Sequence, residues 1–254
     1  PLRTPPDCGT FGVSAKLTPW SGNEPATVGS TIEIENCPGS GFSPKLSAGT
    51  QNPLAGTTSP FSLRLTREDG EAELTGLTDA LPLGLSGYLK GIPYCPDAAL
   101  AAISEAEGTG RAQEVSPSCP AASQIGTVTI GAGAGTNPFY VTSGKAYLAG
   151  PYKGAPLSLA AVIPAVAGPF DLGSVMVRTA LRVDPETARI TAVSDPFPTI
   201  LHGIPVDARD IRLDLNREHF TLNPTSCEPL SMDSTVTGSG GASAARHKDF
   251  QAAG

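Results

Sequence analysis

The sequence predicts an all-β protein, made of antiparallel β-sandwich modules of the immunoglobulin-like type with one short helix in a connector. Three observations favour this fold class. The chain of 254 residues contains 29 glycines and 25 prolines, which punctuate it with turns. Its apolar stretches are short and rich in Val, Ile, Leu and Thr, as β-strands are. Predicted strands recur about every ten residues, a spacing that is typical of antiparallel sandwiches.

Alternation of apolar and polar residues marks the individual strands. Residues 61–67 and 72–78 alternate, and Asp69-Gly70 between them predicts a tight hairpin. Further strands are predicted at 125–130, 145–148, 157–163, 172–183, 189–193, 210–215 and 220–222. One helix is predicted over 96–106, because Pro96 and Asp97 suit a first turn and strong helix formers follow.

The cysteines favour disulfides over metal sites or redox motifs. They are Cys8, Cys37, Cys95, Cys119 and Cys227, and none forms a C-x-x-C pair. We expect disulfides between Cys8 and Cys37 and between Cys95 and Cys119. Cys227 is then the odd cysteine, and we expect its partner to lie outside this sequence. A link between Cys37 and Cys227 is the alternative that would overturn this framework.

The stretches that follow Cys8 and Cys227 resemble each other. Each continues with an alternating strand, a Ser-Gly turn and a second polar stretch. The alternative is a chance likeness between two Gly/Ser-rich hairpins. We interpret the chain as an interior segment of a longer protein. Its expected parts are a disulfide-closed β hairpin at 1–37 linked to a preceding module, an Ig-like unit at 38–118, a second β-sandwich unit at 119–226, and a truncated repeat of the first hairpin at 227–254.

Charge and hydropathy exclude two classes of partner. The formal net charge is −7, so the chain lacks the basic field that neutralises the phosphates of nucleic acid. No uninterrupted apolar run approaches the roughly 20 residues of a membrane-spanning helix. We therefore expect neither nucleic-acid binding nor membrane insertion.

No catalytic constellation is evident, and we expect the chain not to be an enzyme. The histidines lack metal-ligand spacing, and His202, with Asp207 and Asp210 nearby in sequence, is the only conceivable acid–base centre of a secreted hydrolase. No cofactor is expected, with calcium as the one ion to consider. Its weak candidate ligands are Asp69, Glu71 and Glu73. Acidic turn residues that serve solubility and capping are the alternative.

A local group of aromatic residues is the candidate contact surface for a ligand. It comprises Phe139, Tyr140, Tyr147 and Tyr152 in a chain that is only 6% aromatic. These rings could stack on sugars or contact a neighbouring module. Packing within a core is the alternative.

Several motifs together resemble a known group of proteins. They are L-T-P-W-S-G-N at 17–23, S-P-F at 59–61, G-I-P-Y-C-P at 91–96, S-C-P-A-A-S-Q-I-G-T-V at 118–128, Y-L-A-G-P-Y-K-G-A-P at 147–156 and N-P-T-S-C at 223–227. They resemble a family of large, uncharacterised secreted or cell-surface proteins of high-GC Gram-positive bacteria with recurring cysteine-containing β modules. The resemblance implies an extracellular location, and it implies that the hairpin after N-P-T-S-C closes on a further cysteine.

From these observations we expect a structural or adhesive module of a longer extracellular or cell-surface protein, assembling end to end into a fibre. Its partners would be neighbouring modules of the same chain or identical copies. The alternative is a carbohydrate- or ligand-binding module that recognises surface glycans. A secreted hydrolase is the third hypothesis.

Overall fold

A computed structural model describes residues 9–34 and 41–253. Strands account for 53% of the described residues and helices for 8%. The strands are β1 Gly9–Leu17, β2 Ala26–Ile34, β3 Lys45–Thr50, β4 Phe61–Thr66, β5 Leu74–Ala80, β6 Ser86–Gly87, β7 Gln124–Ala132, β8 Phe139–Ala149, β9 Leu157–Ala167, β10 Phe170–Val183, β11 Ile190–Ser194, β12 Ile200–Leu201, β13 Ile204–Pro205, β14 Ala208–Leu215, β15 Thr221–Leu222, β16 Leu230–Gly238 and β17 Ser243–Phe250. The helices are α1 Asp97–Ala101 and α2 Thr109–Val115.

Eleven strands form one antiparallel sheet in the order β17-β16-β5-β11-β10-β9-β8-β7-β14-β4-β3. The two outer strands, β17 and β3, contact each other, so the sheet is nearly closed into a barrel. Their contact covers part of the two sheet edges, which would otherwise lie open to pairing with another chain. The predicted antiparallel all-β class is confirmed, whereas the Ig-like sandwich is not.

The sheet interleaves strands that the sequence assigned to different units. β4 pairs with β14, and β5 pairs with β11, so residues 38–118 and 119–226 contribute to the same sheet. The hairpin predicted across Asp69-Gly70 is wrong, because β4 and β5 do not pair and β3, β17 and β16 lie between them. Contacts of Arg67 hold the segment after β4 against β14 and away from a local hairpin. Its buried guanidinium donates to the carbonyl oxygens of Ala208 at 3.0 Å and Glu71 at 2.9 Å, which ties the turn to β14.

Alternate residues of the strands separate an interior core from an outer layer. In β9, Leu159 and Ile163 belong to the apolar cluster inside the barrel. Ala160 and Val162 face the other way and pack with the buried Leu100 of α1. This is the two-residue period of a strand that is covered on both faces.

The connector from Cys95 to Cys119 lies against this outer layer. The helix predicted over 96–106 is shorter, since α1 ends at Ala101, and α2 follows as a second helix that the sequence did not predict. Gly110 lies inside α2, where a Cβ atom would come within 2.5 Å of the Asp171 carboxylate. That carboxylate instead accepts the Gly110 amide at 2.9 Å, so α2 packs closely on β10. The predicted disulfide between Cys95 and Cys119 is present.

The remaining sequence-based expectations have mixed outcomes. Cys8 and Cys37 lie outside the described residues, so their pairing stays a prediction. Among the described residues Cys227 is the one free cysteine, and it is exposed. No helix in the described part of the chain is long and apolar enough to cross a membrane.

Candidate functional site

Within the part of the chain that the structure describes, the hairpin β1–β2 has an apolar face that no other strand covers. The two strands form a separate two-stranded sheet, and among the described residues they pair only with each other. One face carries Phe11, Val13, Ala15 and Leu17 of β1 opposite Ile32, Ser30, Val28 and Ala26 of β2. Val13, Leu17, Val28 and Ile32 are 49 to 56% exposed. An apolar face left in water is typical of an interaction surface.

The hairpin β16–β17 shows what covers such a face. β16 pairs with β5, and β17 contacts β3, so this hairpin closes the barrel. Its inward residues Met232 and Val236 are 1% and 0% exposed. We call β16–β17 the closing hairpin.

The two hairpins match in both phase and register. Phe11 lies three positions after Cys8, and Leu230 lies three positions after Cys227. In this alignment Val13 corresponds to Met232, Ala15 to Ser234 and Leu17 to Val236. Phe11 lies opposite Ile32, as Leu230 lies opposite Phe250. The exposed face of β1–β2 therefore corresponds to the face that the closing hairpin buries.

Inside the barrel lies a second candidate site, a cavity of about 740 Å³. Its wall is almost wholly apolar and includes Leu77, Ile130, Ala161, Val177 and Leu181. The β12–β13 hairpin contributes Leu201 and Ile204 to the wall, and the segments around β6 and β15 contribute Leu85 and Phe220. The cavity is thus lined both by barrel strands and by segments that connect those strands.

One carboxyl group lies in this apolar wall. Asp79 is 4% exposed and occupies the same face of β5 as Leu77, with Ala192 of β11 and Ser234 of β16 beside it in register. Burial raises the pKa of Asp79 to about 6, and the nearby Ser234 hydroxyl opposes the rise. That hydroxyl does not reach the geometry of a full hydrogen bond. Asp79 Oδ1 and Ser234 Oγ are both buried without a hydrogen-bond partner among the described residues.

Asp210 is a contrasting carboxylate whose partners are all present. It accepts hydrogen bonds from Arg64 Nε at 2.9 Å, Arg212 Nη2 at 2.6 Å and the Tyr140 hydroxyl at 3.0 Å. Burial alone would raise the pKa of Asp210, but these hydrogen bonds outweigh burial and hold the pKa well below its usual range. The group has the features of a structural ion cluster on the barrel wall.

Replacing Asp210 with asparagine should lower the free energy of unfolding by about 2 kcal/mol at pH 7. The arginines are 51% and 38% exposed, so solvent screens the loss. Because the pKa of Asp210 is depressed in the folded state, its stabilisation is fully present above 3.8 and declines progressively as the pH falls from 3.8 towards the lower folded-state pKa. Urea unfolding at pH 7 and pH 3 checks this. An equal cost of the substitution at both pH values would contradict it.

The aromatic residues proposed as a ligand surface are placed in different environments. Tyr147 is 1% exposed and packs in the outer apolar layer, and Phe139 lines the cavity. Tyr152 donates to Asp195 at 2.7 Å and lies 4.3 Å from the Arg178 guanidinium. Tyr140 bonds to Asp210. The structure therefore does not join the four rings into one stacking platform.

The candidate calcium ligands and the candidate acid–base centre are engaged in other contacts. Asp69 accepts the Gly135 amide at 2.6 Å, and Glu71 accepts the Ser43 amide at 3.2 Å. Glu73 lies on the same turn, and within residues 9–34 and 41–253 no three acidic, His or Cys side chains are grouped as a metal site requires.

His202, Asp207 and Asp210 are not brought together as a catalytic group. His202 contacts the Glu105 carbonyl oxygen, Asp207 pairs with Arg67, and Asp210 pairs with Arg64. Each polar side chain therefore has a structural partner in a different place.

The sequence reasoning missed Asp79 as a site residue. Its predicted strand ended at residue 78, whereas β5 continues to Ala80. A signal was present, because Leu77, Asp79 and Leu81 alternate and place a carboxyl group in an apolar phase.

Comparison of the chain with protein-family models, with curated proteins and with solved structures finds no match.

Proposed function

We propose that this chain is a structural module of a longer extracellular or cell-surface protein in which barrels follow one another. In this arrangement β1–β2 closes a second barrel of the same kind, as β16–β17 closes this one. The observation that carries the proposal is the match in phase and register between the two hairpins. A hairpin that adds its strands to the open sheet edge of a neighbouring module would be an example of β-strand addition.

Burial of the exposed face gives the arrangement its driving force. Val13, Leu17, Val28 and Ile32 are each about half exposed, and transferring such side chains into a barrel interior stabilises by about 1 kcal/mol apiece. The opposite face of β1 carries Ser14 and Lys16, which suit a solvent-facing surface. The hairpin thus has the amphipathic pattern of a barrel strand pair.

A graft within the chain tests whether the β1–β2 face fits the barrel. Residues 230–236 are replaced by the sequence of residues 11–17, and residues 244–250 by that of residues 26–32, which keeps the original turn. We expect a cooperative urea unfolding transition within about 2 kcal/mol of the unmodified protein, because the apolar face enters in phase.

The matched control shifts the same graft by one residue and uses residues 10–16 and 27–33. Because strand faces alternate, this control directs Thr10, Gly12, Ser14 and Lys16 inward, and we expect it to lose the cooperative transition. Equal stability of the two grafted proteins would refute the assignment of β1–β2 as a closing hairpin.

A tandem protein tests the arrangement directly. Residues 41–226 are followed without a break by residues 8–254, so β1–β2 takes the place of the closing hairpin in the first barrel. We expect both barrels to resist limited proteolysis. The same tandem protein with Val13→Asp and Val28→Asp should lose only the first barrel, and digestion of the first barrel in both proteins would count against the proposal.

The carbohydrate alternative has less support, because the tyrosines that would form its platform are separated and already bonded. The hydrolase hypothesis has less support for a similar reason, because His202 and the two aspartates have separate partners. The observation that favours a ligand-binding role is the apolar cavity in the barrel interior, not the tyrosines.

A further inference from the structure

The barrel interior is larger than side-chain packing requires. Protein interiors are close-packed and contain few voids larger than a water molecule. The cavity of about 740 Å³ falls within the roughly 300 to 1,000 Å³ that small-molecule sites occupy. Side chains of its wall such as Leu77, Ala161 and Val177 are only partly buried although they point inward. The cavity wall therefore has apolar surface that remains accessible to a ligand.

Asp79 gives this apolar space one polar attachment point. A buried carboxyl oxygen without a partner is costly, and a donor supplied from the cavity would remove that cost. The nearby arginines are bonded elsewhere. Arg189, just before β11, pairs with Asp233 at 2.9 Å, and Arg246, opposite Ser234 on β17, donates to the Pro44 carbonyl oxygen and to Ser43 Oγ. At neutral pH the carboxyl is above its pKa of about 6, so a positively charged donor is favoured over a neutral one.

We propose that the barrel binds an elongated apolar molecule that carries an amine, with the apolar part in the cavity and the amine donating to Asp79. The site differs from the β1–β2 surface and does not depend on the module arrangement. Thr221 is a second polar residue of the cavity wall, and its hydroxyl oxygen is buried without a hydrogen-bond partner among the described residues.

The cavity approaches the surface beside the β12–β13 hairpin. Phe139 and Ile204 line the cavity and are also 51% and 49% exposed. Ile200 on the same hairpin is 61% exposed. Phe139 and Ile204 are thus apolar wall residues that also reach the surface, and an alkyl chain could enter beside them.

The test compares three ligands of equal chain length, decylamine, decanol and decanoate, by calorimetry at pH 7.5 below their aggregation concentrations. We expect decylamine to bind at least tenfold more tightly than decanol, and decanoate to bind most weakly because its charge repels Asp79. Asp79→Asn should weaken decylamine about tenfold and leave decanol unchanged. Asp249→Asn, on a carboxylate that is 96% exposed, is the matched control and should change neither affinity.

A second variant separates the cavity from the carboxyl group. Ala161→Trp places a large side chain in the wall and should weaken decylamine and decanol alike, with circular dichroism confirming the fold. Failure of the unmodified protein to bind any of the three ligands would overturn the proposal. Binding that Ala161→Trp leaves unchanged, or an amine preference that Asp79→Asn leaves unchanged, would overturn it as well. None of these results would alter the expected behaviour of the hairpin grafts.

Discussion

Replacing Asp79 with asparagine should raise the free energy of unfolding by about 3 kcal/mol at pH 7.5. The pKa of Asp79 is about 6 in the folded protein and 3.8 as its ordinary value, and each unit of difference corresponds to about 1.4 kcal/mol. Between these values the folded state binds the proton and the unfolded state does not. The contribution of Asp79 is thus fully present below pH 3.8 and is lost as the pH rises through about 6.

Urea unfolding of the unmodified protein and of Asp79→Asn from pH 3.5 to pH 8 measures this effect. The difference between the two curves isolates Asp79, since Asp210 titrates equally in both proteins. We expect the difference to grow from pH 4 to pH 6 and then to level off. Asp249→Asn should give no such difference, and a flat difference for Asp79→Asn would show that its carboxyl is solvated in the folded state.

Removing the Cys95–Cys119 disulfide should lower the free energy of unfolding by about 3.5 kcal/mol. The two cysteines are 24 positions apart, and opening a loop of this length restores that much chain entropy to the unfolded state. Both cysteines are buried, at 1% and 2% exposure, so replacement by alanine leaves small side chains in the outer layer. Chemical unfolding of the Cys95→Ala/Cys119→Ala protein measures the loss.

Cys227→Ala is the control for this experiment, because Cys227 is exposed and free among the described residues. We expect it to leave stability unchanged. Hydrogen exchange locates the effect, with α1 and α2 losing protection before β8 and β9. Uniform loss of protection across the barrel would instead indicate that the connector is part of the global folding unit.

Strand positions could be predicted from the sequence far better than strand partners. The alternation in residues 61–66 and 210–215 is visible locally, and both segments are strands. Their pairing is not visible, because Leu63 meets Leu213 across a long stretch of intervening chain. Asp69-Gly70 suggested a local hairpin, but the contacts of Arg67 with Ala208 and Glu71 prevail over the turn signal. Tertiary contacts decided the topology.

The two candidate sites also differ in how far the sequence could predict them. The likeness between the stretches after Cys8 and Cys227 is a property of the sequence, so the correspondence of the two hairpins could be predicted from the sequence. The cavity depends on closure of eleven strands, which no local pattern encodes. Tyr147 illustrates the difficulty, since its place in strand β8 gave no indication that it faces the outer layer and is buried.

Closure by β16–β17 also sets an order of events during synthesis. The ribosome makes β3 and β5 early, yet the hairpin that lies between them is made after every other strand of the barrel. A growing chain therefore holds two open edges until its final strands emerge, and the long sequence separation of these contacts slows their formation.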